Sequence, residues 1–408
     1  MSTPGLLEGV TVVEVAHLGA GALTTPLSDL GADVIKVEAI EGDYGRQMTW
    51  PIVEGTSLLF RHLNRGKRSV CLDLAHPDGA EVFRRLVAGA DVVVEGMRPG
   101  ALDRRGLGYD ELRVLNPALV MVAMSGFGAT GPYRDIPSHG VGFDAWAGVF
   151  RPDTDDDGRP RIPEHVSIGM NAGPLYGAIG VLAGVVRARA TGEGCLLDVA
   201  QADAAVAFDW LRVESVRAYH RPDAEVEGNA ADGGARRAPG TAGLAEGVRY
   251  QVYESADGHV LLMASERRFW RNFCDGVGRP DLFERWPGAE YADHAVGELE
   301  LRDEIAELLL ERTSAEWARF ASEHDTALIP VNDQESLAAD PHFHERLPWL
   351  PAATHGADLV PVPVRLAGEV PPDPGPAPGP GQHTDDVLSA LGYGPDEIRS
   401  LRTRGALR

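Results

Sequence analysis

An α/β fold built on a parallel sheet is predicted by three features of the 408-residue sequence: valine-rich runs recur through its first half, helical segments separate them, and each run is nearly continuous in apolar residues. Strands buried on both faces read that way, and consecutive parallel strands need a crossover helix between them. VTVVEV at 10–15 is β-branched and opens the sheet, followed by a helical stretch around 22–30. VIKVE at 34–38 is the second strand. SVCLDL (69–74), the helix EVFRRLVAGA (81–90), DVVVEG (91–96) and LVMVAMSG (119–126) continue the alternation. GMNAGPLYGAIGVLAGVVRARATGEG, residues 169–194, reads as a long helix of small and aliphatic side chains, with Gly173-Pro174 in its opening turn. A second apolar helix is expected over 197–220.

The pattern then changes, and the sequence divides into a large domain over 1–210, a linker over 211–248, a smaller α+β domain over 249–335, and a return linker with a C-terminal segment over 336–408. From 221 the linker is rich in Gly, Ala and charge with little apolar periodicity. RYQVYESADGHVLLMAS (249–265) places two alternating runs around Ala256-Asp257-Gly258, a hairpin pattern. Helices bearing Trp and Phe follow to about 325. EVPPDPGPAPGPGQ lies in a stiff Pro- and Gly-rich return from 351 to 382, and two short helices close the chain. No internal repeat is visible.

The net charge of −23, from 38 basic and 61 acidic residues, argues against nucleic-acid and anionic-lipid surfaces. It leaves room for a local basic pocket. Cys71, Cys195 and Cys274 are far apart and odd in number, which indicates neither a disulfide framework nor a metal knuckle, so no metal is expected. No basic-then-apolar leader precedes Leu6, and no apolar run approaches the roughly 20 residues of a membrane helix. A soluble cytoplasmic protein is expected.

Gly126-Phe127-Gly128-Ala129-Thr130-Gly131 matches the dinucleotide fingerprint after a strand, but Pro132 and Pro137 stand where that fingerprint needs a helix. A loop at a strand end fits better, at the place where open α/β sheets bind ligands. Basic residues cluster at Asn64-Arg65-Gly66-Lys67-Arg68, at Arg98 and at Arg104-Arg105. Each borders an expected strand; they are either solvated surface charge or a set able to hold the phosphates of a nucleotide-containing cofactor. His139, in PSHGVGFDAWAG, and Glu266, in MASERRFWRNF, each precede a helix and have ordinary structural readings as well as catalytic ones. No Ser-His-Asp order, H-E-x-x-H or Walker loop occurs.

Read in order, LLEGVTVVEVAHL, SDLGADVIKVE, NRGKRSVCLDL, ADVVVEGMRPGALDRRGLGYDEL, MSGFGATGPY, ATGEGCLLDVAQADA, the ADG hairpin and GQHTDDVLSALGY resemble the class III CoA-transferase family, which includes the α-methylacyl-CoA racemases. The resemblance runs from residue 6 nearly to the C-terminus. It implies a Rossmann-like large domain completed by both chain ends, a smaller α+β domain, and an interlocked-ring homodimer; a heteromeric sister subunit is an alternative partner. It also implies coenzyme A, as an acyl-CoA or acyl-pantetheine substrate, held by Leu18, Gly19, Leu72, Gly96, Met97, Arg98 and Arg104. Ala39 and Ala75 stand where some members carry Arg and Lys.

Transferases that the sequence resembles attack the thioester with an aspartate at the start of the helix before G-I-L-A-A-L. Here that position is Met170, or Gly169 on the racemase spacing, and neither can be a nucleophile. Asn171 is the nearest polar residue. The racemase histidine maps onto His139, nine residues before Gly148, and the racemase glutamate onto Glu266. A rival match aligns Gly142-Phe143-Asp144 with a transferase G-Y-D.

A thioester acidifies its α-hydrogen, and one base suffices for one-sided proton transfer. The favoured reading is therefore an acyl-CoA enzyme of racemase, isomerase or eliminase type using His139, with Glu266 in support. The second reading is a CoA-transferase moving CoA between carboxylic acids; the third is a non-catalytic or repurposed subunit.

Overall fold

The computed structural model describes residues 5–226, 243–290, 292–369 and 372–408. Two compact units emerge: Met1–Asp209 with Leu347–Arg408, and Trp210–Arg346. Residues 227–242 of the expected linker lie outside the described residues, while its first part is the helix Trp210–Tyr219.

The first unit carries six parallel strands: β1 (Thr11–Val15), β2 (Asp33–Glu38), β3 (Arg68–Cys71), β4 (Val92–Glu95), β5 (Val120–Ser125) and β6 (Cys195–Ala200). Their spatial order is β6-β5-β4-β1-β2-β3, with Val12 opposite Val34 on one side and Val92 on the other. This is the order of dinucleotide-binding folds, and it reverses between β1 and β4. Alternate strand residues face opposite layers. Val13, Ile35, Val70 and Val93 pack with Phe83 and Leu86 and with Leu388 and Leu401 of the C-terminal segment. Val12, Val34, Val92 and Val122 pack with Leu23, Leu27 and Val181 on the other face. Two apolar faces explain why the central strands are valine-rich and nearly continuous in apolar residues.

α1 (Leu18–Ala22) and α2 (Thr24–Asp29) follow β1, and α3 (Leu58–Asn64) and α4 (Pro77–Ala88) flank β3. α5 (Tyr109–Leu115) precedes β5, and α6 (Val141–Ala147) follows it. α7 (Ile168–Thr191) is the crossover to β6. On length and composition α7 is long and apolar enough to cross a bilayer, contrary to the sequence expectation, yet half of that apolar window is buried within the fold. Its inner face is small for a steric reason: a Cβ on Gly184 would stand 2.7 Å from a Val120 methyl carbon. Pro174 falls in the second turn of α7, because the helix starts earlier than expected.

The expected helix over 197–220 is corrected. Cys195–Ala200 extends the sheet, with Cys195 opposite Val120 and Ala200 opposite Ser125, because β5 presents a free parallel edge there. The helix begins only with α8 (Gln201–Phe208). In the second unit the expected hairpin forms from β7 (Tyr250–Glu254) and β8 (His259–Met263), and β9 (Leu328–Pro330) pairs antiparallel with β8. Trp270, Phe273, Trp317 and Phe320 centre its core.

Candidate active site

A cavity of about 510 Å³ opens outside the carboxyl ends of β1, β4 and β5, across the point where the strand order reverses. Its size and position are those of ligand sites in open α/β sheets. The β1 end contributes His17 to Ala20, the β4 end Gly96 to Pro99, and the β5 end Ser125 to Phe127. Leu18 takes φ +49°, a left-handed conformation that costs a non-glycine residue roughly 1–2 kcal/mol and turns the chain sharply out of β1. Gly19 lets the chain pass close to Gln201: a Cβ there would lie 2.5 Å from Gln201 Oε1, so the Gln201 amide would have to shift.

Eight of the residues singled out from the sequence meet at this cavity: Leu18, Gly19, Gly96, Met97, Arg98, Arg104, His139 and Met170. Two do not. Leu72 is core, 2% exposed, with its backbone bridged to Leu407. Glu266 lies in the second unit, at the residue before the helix Arg267–Gly276.

Met170 sits in the first turn of α7 with its sulfur 3.8 Å from where a Cβ on Gly140 would lie, which sets the thioether beside the His139 loop. Gly169 cannot carry a side chain without displacing Phe143, whose Cβ would be 2.8 Å away. The start of α7 is instead held by Asp144, fully buried, which accepts from Ser167 Oγ at 2.6 Å and from the Gly169 amide at 2.7 Å. That carboxylate is committed to capping α7. Asn171 is exposed and donates to the Ser167 carbonyl at 2.7 Å. Asp135 is the carboxylate among the described lining residues; its side chain is 87% exposed and stands 3.6 Å from Arg134.

The basic clusters separate into two kinds. Arg65 forms a two-point pair with Asp29 (2.8 and 2.6 Å), Lys67 meets Glu14 at 2.7 Å, and Arg68 pairs with Asp33. The reading of residues 64–68 as phosphate ligands is therefore corrected: nearby acids across the sheet have already taken these charges. Arg98 and Arg104 are exposed on the cavity wall, with no side-chain partner among the described residues.

Sequence reasoning missed the polar layer beneath the β1 turn. Glu14 is fully buried and accepts from Lys36 Nζ at 2.8 Å, from Lys67 Nζ at 2.7 Å and from Thr24 Oγ1. Lys36 also meets Asp43 at 2.9 Å, and Asp43 meets His17 Nδ1 at 2.9 Å. Burial opposes the ionisation of Glu14, but the two ammonium groups hold it below the usual carboxylate value. Burial likewise opposes charge on both lysines. Lys36 touches two carboxylates and is pushed up to about 12, whereas Lys67 touches one, with Lys36 nearby, and falls to about 8. The available signal was a glutamate and a lysine inside valine runs, each costly to bury without a partner.

Glu95 ends β4 behind Met97, buried, and accepts from the Met97 amide at 2.8 Å. Burial pushes its carboxyl up to about 7, with the Asp103 charge adding to the rise. Between the ordinary value of 4.5 and about 7, the folded protein holds a proton that the unfolded chain has released. Stability from this group is therefore full below pH 4.5 and lost as pH rises through 7. Glu95→Gln keeps the acceptor and cannot ionise, so at pH 8 it is expected to stabilise the fold by about 2–3 kcal/mol. Urea midpoints should rise at pH 8 and be nearly unchanged at pH 4.5.

Comparison with known proteins gives this cavity its context. The family model for CoA-transferase family III matches residues 7–384. The β subunit of succinyl-CoA–L-malate CoA-transferase from Chloroflexus aurantiacus is 31% identical, over 98% of this chain and 97% of its own. The α-methylacyl-CoA racemase of Homo sapiens is 26% identical, over 97% and 96%. Among solved structures, a CAIB/BAIF family protein from Brucella suis superposes with a TM-score of 0.73 at 27% identity, covering 95% of this chain and all of that one. With this match spanning both units and every wall of the cavity, the chain belongs to CoA-transferase family III.

Proposed function

We propose that the protein acts on acyl-CoA thioesters by proton transfer at the thioester α-carbon, with His139 as base, in a reaction of racemase, isomerase or eliminase type. The observation that carries this reading is Met170: a thioether on the cavity wall stands where the resemblance places the nucleophilic aspartate. A thioether cannot form the acyl anhydride of a transfer reaction. His139, on the same wall with an imidazole that has no hydrogen-bond partner among the described residues, can take a proton. Leu18, Gly19, Gly96 and Met97 would form the walls along CoA, with Arg98 and Arg104 toward its phosphates. Glu266 is assigned to the chemistry by resemblance alone.

A second reading, CoA transfer between acids, is favoured by the relatives named CoA-transferases; one is named as a β subunit, which supports a heteromeric partner as the alternative to a homodimer. Exposed Leu175, Ile179, Leu182 and Val186 form a helical stripe on α7, an apolar surface that a second copy would cover in the interlocked dimer. The three cysteines are free thiols, consistent with a cytoplasmic protein.

The deciding experiment incubates the wild type with 2-methylpropanoyl-CoA in D2O. Deuterium should enter the α-carbon, with no CoA passed to free acids and no hydroxylamine-sensitive adduct. CoA transfer without α-exchange would establish the second reading. Met170→Asp is expected to introduce a trace of CoA transfer by supplying the missing carboxylate, read by the same CoA-exchange assay.

Arg98→Ala and Arg104→Ala should each weaken CoA binding by about 1.5–3 kcal/mol, the worth of a charged hydrogen bond. The loss should shrink in high salt. Titration calorimetry at two ionic strengths checks both statements.

A further inference from the structure

His17 and His139 line one cavity from separate elements, and their surroundings differ. The His139 side chain has no hydrogen-bond partner among the described residues and lies on an exposed loop. His17 is held. Its Nδ1 is 2.9 Å from Asp43 Oδ2, and Asp43 is itself fixed: Lys36 Nζ meets the same oxygen at 2.9 Å, and the Gly45 amide donates to Oδ1 at 2.8 Å. Burial would favour a neutral Asp43, but His17 and Lys36 hold its carboxyl well below the usual range. A carboxylate against Nδ1 keeps the proton on that nitrogen and leaves Nε2 as the acceptor, the arrangement of an oriented general base. The His17 side chain is 41% exposed at the cavity, and its Nε2 has no partner among the described residues.

We infer that His17, positioned by Asp43, is a second proton-transfer residue of this cavity, acting with His139 at the α-carbon of a bound acyl thioester. The inference rests on the α-proton reading above. One imidazole Nε2 takes the α-proton as the C–H bond breaks, and the electron pair passes into the enolate. The C–H bond re-forms with a proton from the other imidazolium, and solvent returns both rings to their starting state. His17 thus fills the second role, which a methionine at 170 cannot perform. Groups facing the ring are Asp43, Lys36 behind it, and Tyr44, whose ring centroid is 5.2 Å away.

The test compares wild type, His17→Asn and Asp43→Asn in the interconversion of (2R)- and (2S)-2-methylbutanoyl-CoA, which, unlike exchange on one face, needs a proton donor opposite the base. Asn keeps a donor toward Asp43 and removes Nε2, so interconversion should fall at least 100-fold with CoA affinity within threefold. Asp43→Asn should lower kcat for interconversion about tenfold with KM within threefold, because the imidazole loses the partner that orients it. Independently of turnover, carbethoxylation of His17, mapped by peptide mass, should be slowed by bound 2-methylpropanoyl-CoA. A wild type that exchanges the α-proton without interconversion, or a His17→Asn variant keeping a third or more of the wild-type interconversion rate, overturns this inference alone. Unslowed carbethoxylation at saturating ligand does the same. A wild type that transfers CoA without exchange overturns the α-proton reading, and this inference with it.

Discussion

His139→Ala is expected to lower α-deuterium exchange at least 100-fold while leaving CoA affinity within threefold. A positioned base contributes about 10²–10⁴ to a proton-transfer rate, and the variant removes that base whole. Binding should survive because the residues proposed to hold CoA, Arg98 and Arg104 among them, lie on the segment after β4, whereas His139 lies on the loop before α6. Exchange on 2-methylpropanoyl-CoA followed by NMR, with CoA binding by calorimetry, separates the two effects. Wild-type protein that moves CoA between acids, undisturbed by His139→Ala, would replace the proposed mechanism with the transferase one.

The second large effect is on stability. Glu14→Ala leaves Lys36 and Lys67 facing each other in the β1 layer, where both side chains are at most 1% exposed. Breaking a buried ion pair by removing one partner costs about 3–5 kcal/mol, since Lys67 then has neither water nor a counter-ion among the described residues, while Lys36 keeps only Asp43. The urea midpoint of the first unit should fall accordingly. Arg68→Ala is the control: its pair with Asp33 is 34% and 45% exposed, and exposed pairs contribute about 1 kcal/mol or less. Equal losses in the two variants would show that the Glu14 cluster is no more costly to break than a surface bridge. Because Asp43 and His17 join the same chain of contacts, a damaged Glu14 site should also disturb the cavity wall at His17.

The strands were legible because burial on two faces writes itself into each of them. Val12 and Val13 face opposite apolar layers, so VTVVEV can hardly be anything but a central strand. The crossover helix was legible for the same reason, through the small residues that let α7 approach β5. The strand Cys195–Ala200 was not, because its side chains are only partly buried and its pairing with β5 is a backbone matter that leaves little mark on side-chain choice. At the site, position did what composition could not. Arg65, Lys67, Arg98 and Arg104 are equivalent as letters; Asp29 and Glu14, 36 and 53 residues away in the chain, neutralise the first two and leave the last two on the cavity wall. His17 shows the same limit. Its sequence neighbours are apolar, and the carboxylate that orients it arrives from the turn after β2, a distance of 26 residues closed only by the parallel pairing of β1 with β2. Local physical chemistry is readable along a chain because periodicity and burial act on neighbours. Charge pairing and tautomer choice act at contact distance in space, and that distance exists only after the strands have paired.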